Sequence, residues 1–220
     1  MSEYKFKLYS YWRSSCSWRV RLVLALKGID YEYIPVSLLD RKQKSDEYKK
    51  VNPMQEVPTL VVTTPEGEEY TINQSLAIAE YLDTIIPNPP IFPKGPIQKA
   101  KCLALSLDVI SGIQPLQNFT VGKYVNEIMK DDTQMGKWGN HFITVGLEKI
   151  EAKIDEQGSF ACGDEFTFAD MCILPQLYNA RRFNVDLDRF PKLLRVEKEC
   201  QSIKATEQAH PDQQPDAVKN

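Results

Sequence analysis

The chain has 220 residues, 42% of them apolar and 26% charged, with a formal net charge of -3. That length and balance suit one large or two small globular domains and exclude a fibrous, low-complexity or largely disordered chain. No Lys/Arg block is long enough to track a phosphate backbone, no run approaches the roughly 18 apolar residues of a membrane span, and MSEYKFKLYSYW lacks a secretory pattern, so the chain is read as cytoplasmic, without nucleic-acid or membrane partners.

Lys5 to Tyr11 alternates as a strand does, and runs through SSCSWR into a helix predicted from about Ser15 to Lys27, ended by Gly28. Tyr31 to Val36 reads as a second strand, and the charged stretch from Asp40 to Lys50 holds a short helix at most. Pro58 to Thr63 and Glu69 to Ile72 read as a hairpin about the turn Pro65-Glu66-Gly67, with Ser75 to Ile85 as a closing helix. The order β-α-β-(α)-β-β-α describes one small α/β domain over 1–86. Five prolines from Pro87 to Pro96 forbid regular structure and mark 87–96 as a semi-rigid linker. From 97 to 220 strand signals vanish, and helices are predicted over Ile97 to about Thr120, His141 to Ile154, Thr167 to Phe183 and Lys192 to Ile203. Thr167 and Asp170 have the spacing of a capping box. From about Thr206 the chain turns polar, with Pro211 and Pro215, and a loosely held tail is expected.

The five cysteines (Cys16, Cys102, Cys162, Cys172, Cys200) contain no C-x-x-C pair, and His141 and His210 have no Cys or His at ligand spacing. Disulfide scaffold, zinc site and catalytic triad therefore all lack their parts. Neither G-x-S-x-G nor a phosphate-cradling glycine loop occurs. What remains is Ser14-Ser15-Cys16-Ser17 at the junction of strand and helix, where unpaired amides and the helix dipole favour an anion. Ser14 and Ser15 suit an N-cap, and their hydroxyls equally suit donation to a bound thiolate; Cys16, one position into the helix, is a second candidate nucleophile. Two further stretches bear on that choice. Val57-Pro58 precedes a strand, and a cis bond there would turn the Val57 backbone toward an extended peptide. In Asn73-Gln74-Ser75 a strand hands over to a helix, with Ser75 as N-cap and Gln74 adding donor and acceptor groups, a seat for a carboxylate.

From Leu8 to about Asp216 the chain resembles the cytosolic glutathione transferases, and SSCSWRVRLVLALKGIDYEY, NPMQEVPTL, NQSLAIAEYLD, SGIQPLQN, GDEFTFADMCILPQ and HPDQQPD resemble the zeta class, the maleylacetoacetate isomerases. The resemblance implies an α/β N-terminal thioredoxin-like domain with a mixed four-stranded sheet, an all-α C-terminal domain and a homodimer. It implies glutathione as cofactor, with its thiol at Ser14, Ser15 and Cys16, its cysteinyl backbone against Val57 and Pro58, and its γ-glutamyl end at Gln74 and Ser75. Ser17, Trp18, Arg19, Gln43, Gln114, Asn118, Phe119 and Thr120 match further positions of the family's site. No metal is implied. The activity implied is isomerisation of maleylacetoacetate to fumarylacetoacetate in tyrosine and phenylalanine catabolism, with α-haloacids as further substrates. A double bond cannot rotate, so a thiolate would add beside the conjugated carbonyl to give an enolate, and leave after rotation.

The dicarboxylate substrate calls for cations, and Arg13 and Arg19 flank the serines. Met171, Pro175, Tyr178 and Arg182 share a helical stripe otherwise lacking charge, and the family's Arg-Phe pair favours Arg182 over Arg181. Two other readings stand beside this one: a Cys16-dependent thiol transferase working through a mixed disulfide, and a non-catalytic transferase-like interaction domain.

Overall fold

Along Lys5–Ser10 (β1) the side chains of Phe6, Leu8 and Ser10 turn inward while both lysines face out, the period-2 pattern of a strand with one face in a core. The computed structural model describes residues 3–218. In it β1 is joined by Glu32–Pro35 (β2), Thr59–Thr63 (β3) and Glu69–Asn73 (β4) in one sheet of order β2-β1-β3-β4. β1 and β2 run parallel, and β3 is antiparallel to both β1 and β4, which is the mixed four-stranded sheet expected. Helix Ser15–Leu26 (α1) makes the crossover from β1 to β2 and is followed by Gly28 at φ +63, a conformation glycine adopts without a Cβ penalty. A 3₁₀ turn at Lys42–Lys44 and helix Asp46–Val51 (α2), capped by Ser45, fill the charged stretch. Helix Ser75–Ile85 (α3) packs on α1. Val20, Leu22, Leu24, Ile78 and Leu82 are buried in this unit together with Leu8, Leu60 and Val62.

The chain forms two compact units. One takes in the described residues up to Pro90 together with those from Ile203 onward; the other is Ile91–Ser202. The expected loose tail, assigned to a helical domain running to 220, is thereby corrected. Helix Lys204–Ala209 (α9) packs on α1, and Pro211–Gln213 adds a 3₁₀ turn. Ala205, Thr206, Ala209 and Gln214 are buried, and the Gln214 amide donates to Gln208 O (3.2 Å) and His210 O (2.8 Å). The segment is polar because its polar groups have partners, not because it is solvated. The proline-rich stretch is likewise held on both sides of the break. Lys27 Nζ, fully buried, binds Asp83 Oδ1 (2.7 Å), Ile86 O (2.7 Å) and Pro89 O (2.8 Å). Ile91, in the other unit, is buried and accepts from Phe168 N–H at 2.8 Å.

The second unit is helical: Pro96–Leu107 (α4), Phe119–Met129 (α5), Gln134–Glu151 (α6), Phe168–Arg182 (α7) and Pro191–Cys200 (α8). The single helix expected from Ile97 to Thr120 is two. After α4 the chain continues through a π-helical turn, Asp108–Ile113, and Pro115 then withholds the N–H that a continuing helix needs. Asn118 restarts it as the cap of α5, a helix absent from the sequence reading. α7 is buried over nearly its whole length. Its start is set by the Asp170 carboxylate, which accepts from Ala161 N–H (2.8 Å), Thr167 N–H (2.7 Å) and Thr167 Oγ1 (2.9 Å). Asp170→Ala strips these buried donors of their acceptor and is expected to lower the unfolding free energy by about 3 kcal/mol in urea denaturation. A loss below about 1 kcal/mol contradicts that role.

Candidate active site

Ser14 has an extended backbone and caps α1: its Oγ accepts from Ser17 N–H at 3.2 Å and its C=O from Trp18 N–H at 2.9 Å. A hydroxyl that accepts at a cap still has its own proton to donate. The amides of Ser15 and Cys16 lie in the first turn, where a helix offers no acceptor, and no acidic side chain sits there. One hydroxyl proton, two amides and the positive end of the dipole therefore suit this helix start to an anion. Ser15 and Ser17 are buried, while Cys16 is partly exposed.

Two guanidiniums on α1 are each only 1% exposed. Arg19 donates through Nη1 to Ser75 Oγ at 3.1 Å, and its Nε and Nη2 meet no acceptor among the described residues. Buried charged donors in that condition are destabilising until an acceptor arrives. Arg21, two positions on, binds three main-chain carbonyls and a hydroxyl instead: Nη2 to Trp12 O (2.8 Å), Nη1 to Tyr11 O (3.3 Å) and Ser10 Oγ (3.2 Å), and Nε to Ala209 O (3.2 Å). Burial lowers its pKa to about 10, which leaves it cationic at neutral pH.

The Val57-Pro58 bond is cis. A buried polar knot holds its loop. Tyr48 Oη donates to Glu56 O (2.6 Å) and lies 2.9 Å from Thr59 Oγ1. Asn52 Nδ2 donates to the same two acceptors at 2.9 and 3.0 Å, while its Oδ1 accepts from Met54 N–H (3.0 Å) and Asn73 Nδ2 (3.2 Å). Val57 packs in one cluster with Tyr11, Trp12, Val36 and Tyr48, so the Ser14 turn and the Pro58 loop share a support. Among the described residues no hydrogen bond engages Val57 N–H or C=O, which suits them to pair with an extended ligand backbone.

At the next helix start the expectation is corrected by one residue. Gln74 is the cap of α3, at φ +68, a left-handed conformation uncommon outside glycine and found where function constrains the chain. Ser75 is the first helical residue, buried, and its Oγ takes the bond from Arg19, which ties the starts of α1 and α3 together. Gln43 is buried on its 3₁₀ turn, with Oε1 lacking a partner among the described residues. The Arg13 guanidinium lies 5.1 Å above the Trp12 ring, and Trp18 meets His210 edge-on at 5.3 Å.

Gln114, Asn118, Phe119, Thr120 and Arg182 belong to the second unit. Asn118 Oδ1 accepts from Thr120 N–H at 2.9 Å, and Lys123 Nζ stands 4.7 Å from the Phe119 ring centre. The segment is pinned by Gln117, whose amide pairs reciprocally with buried Gln176 at 2.8 and 3.0 Å, and by Trp138 Nε1 donating to Leu116 O at 2.8 Å. At the end of α7 the two arginines differ. Arg181 makes a two-point pair with Glu197 (2.5 and 2.6 Å), whereas Arg182, exposed, donates to the neutral Oδ1 of Asn179 at 3.1 Å. Arg21, Tyr48 and Asn52 are absent from the sequence reading; RVRLVLAL, with two cations in an apolar helix, carried the signal for Arg21.

The mixed sheet, the serine-capped helix, the cis-proline loop and the helical second unit define a glutathione transferase fold. The family of the glutathione S-transferase N-terminal domain matches residues 13–85. A probable maleylacetoacetate isomerase of Caenorhabditis elegans is 46% identical, with 100% of each chain covered. The maleylacetoacetate isomerase of Anaeromyxobacter dehalogenans, solved with glutathione in its active site, is 42% identical with a TM-score of 0.91, over 99% of this chain and 100% of that one. A holo maleylpyruvate isomerase, described as a bacterial zeta-class glutathione transferase, is 33% identical with a TM-score of 0.90, over 96% of this chain and 100% of that one. The chain belongs to the zeta class of glutathione transferases, the family of the maleylacetoacetate isomerases.

Because Asn52 saturates Glu56 O, Thr59 Oγ1 and Met54 N–H together, Asn52→Ala is expected to lower the unfolding free energy by about 2 kcal/mol and to speed amide hydrogen exchange across 53–58. Unchanged exchange there contradicts the knot's role in holding the loop.

Proposed function

We propose that the protein is a glutathione-dependent cis–trans isomerase that converts maleylacetoacetate to fumarylacetoacetate. The observation that carries this is the start of α1, where the Ser14 hydroxyl accepts at the cap and retains a proton to donate beside two unpaired amides. The residues present fit glutathione: Arg19 Nε and Nη2 suit a carboxylate and Gln43 Oε1 suits an N–H donor, each buried and without a partner inside the described chain. When bound, glutathione supplies a thiolate that adds to the conjugated double bond, so that the resulting single bond rotates before the sulfur leaves and the bond re-forms trans. Ser14 donates to the sulfur, and the Ser15 and Cys16 amides with the helix dipole favour its anionic form over the thiol. Arg19, Gln74 and Ser75 hold the γ-glutamyl carboxylate, Val57 pairs with the cysteinyl backbone, and Arg13 takes a carboxylate of the substrate; Arg182 is proposed as a substrate-binding residue by likeness to the family. The same thiolate suits displacement of halide from α-haloacids. A cytoplasmic homodimer is proposed with this activity, by likeness to the cytosolic glutathione transferases. Among the described residues no helix is long and apolar enough to cross a membrane.

Ser14→Ala is expected to lower kcat by roughly two orders of magnitude, the usual cost of one donor at a developing or held anion. Losing the donor raises the pKa of the bound thiol, so the acid limb of the kcat/KM profile moves to higher pH. Cys16→Ala keeps turnover within about threefold. If the cysteine change abolishes turnover and the serine change spares it, the thiol-transferase reading replaces this one.

The arginines of α7 give a second test. Arg182→Ala is expected to raise the KM for maleylacetoacetate by roughly tenfold or more. Arg181→Ala leaves that KM unchanged and costs about 1 kcal/mol of stability at most, since its pair with Glu197 lies at the surface. The reverse pattern shows that the two roles are exchanged.

A further inference from the structure

The turn that delivers Ser14 is held from outside by the end of the chain. Its polar groups are taken in order: the Ser10 hydroxyl and the main-chain Tyr11 O and Trp12 O by the Arg21 guanidinium, and Trp12 N–H by Asp216 Oδ2 at 3.1 Å. Tyr11 O also accepts from Ser14 N–H at 3.0 Å, so the carbonyl that Arg21 grips is the one that closes the turn on the catalytic serine. Arg21 reaches Ala209 O through Nε, and Asp216 Oδ1 accepts from Tyr33 Oη at 2.6 Å. Ala217 packs into the cluster formed by Tyr11, Trp12, Val36, Tyr48 and Val57. Every one of these groups lies in the first unit, and among the described residues no bond from the C-terminal segment reaches Ser14, Gln74 or Ser75 directly.

We propose that Arg21 and Asp216 are positioning residues for the isomerase reaction, and that the segment from Ile203 to Asp216 acts as a strap that orients the Ser14 hydroxyl and the first amides of α1 toward the glutathione sulfur. The inference rests on the function proposed above. A strap of this kind acts on the thiolate and on kcat, and leaves the KM for glutathione alone, because the peptide's other contacts lie at Val57, Gln74 and Ser75.

The charge of Asp216 makes the test selective. Deleting a carboxylate near a thiolate would by itself lower the thiol pKa, whereas losing the orientation of Ser14 raises it. In the full-length protein the ultraviolet absorbance of the bound thiolate is titrated for wild type, Asp216→Ala, Asp216→Asn and Tyr33→Phe, beside kcat and the KM for glutathione. Asp216→Ala is expected to move the thiolate midpoint up by about one pH unit and to lower kcat roughly tenfold, with the KM within about twofold. Asp216→Asn deletes the same charge yet keeps an acceptor for Trp12 N–H, and it recovers most of the loss. A midpoint that stays or falls in Asp216→Ala overturns the proposal, whatever happens to the melting temperature. Should that variant not fold, Tyr33→Phe decides by the same criterion, since it removes the Oη bonds to Asp216 Oδ1 and to the Ser10 side chain, both part of the same hold on the turn. A wild-type complex with no thiolate band at all would instead overturn the function from which the inference starts.

Discussion

A helix cannot satisfy its own first N–H groups, and the first unit is arranged around that demand at the start of α1. Ser14 Oγ meets part of it by accepting from Ser17 N–H. The Ser15 and Cys16 amides are left, and so is the Ser14 proton. Capping and the proposed thiolate activation are therefore one arrangement seen from two sides: the cap's lone pair fixes the hydroxyl, and the fixed hydroxyl has a proton to direct. The usefulness of that proton depends on where the turn from Ser10 to Ser14 places it, and that is a matter of main-chain hydrogen bonds rather than of the serine itself.

Three buried cations of the first unit show how differently one charge type can be used. Lys27 gathers two carbonyls and Asp83 and holds the chain as it leaves α3. Arg21 gathers carbonyls around the turn before Ser14 and has an acceptor at every nitrogen of its fork. Arg19 is the exception, with one bond to Ser75 and two nitrogens without acceptors among the described residues. A structural cation in a closed core is saturated. An unsaturated one beside two helix starts is what a site for an anionic peptide end requires.

Much of this was legible in the amino-acid order. Alternation at Lys5–Ser10 reads as a strand because a period of two has one physical meaning on a sheet face, and Thr59–Thr63 reads as one because it is a short, β-branched run followed by a Pro-Glu-Gly turn. SSCSWR, Val57-Pro58 and Gln74-Ser75 stood out because each joins a strand end to backbone groups in need of partners. The C-terminal segment was misread because its signals are non-local. Asp216 looks like a solvated residue until Trp12, 204 positions away, supplies the N–H it accepts. The knot of Tyr48 and Asn52 was hidden for the same reason, as its value lies in a shared acceptor, Glu56 O, that no sequence pattern marks. The break at Asp108–Ile113 escaped because its apolar period continues through the π-helical turn. At Arg181-Arg182 helical phase left the choice open; the position of Glu197 takes up Arg181.

The central claim is that this chain uses the sulfur of glutathione as a returned reagent. It is tested most directly by supplying maleylacetoacetate to the enzyme with glutathione, without it, and with S-methylglutathione in its place, following fumarylacetoacetate and total thiol together. Trans product is expected only with glutathione, with no net loss of thiol. Equal conversion with the S-methyl compound, or conversion without any thiol, would contradict it.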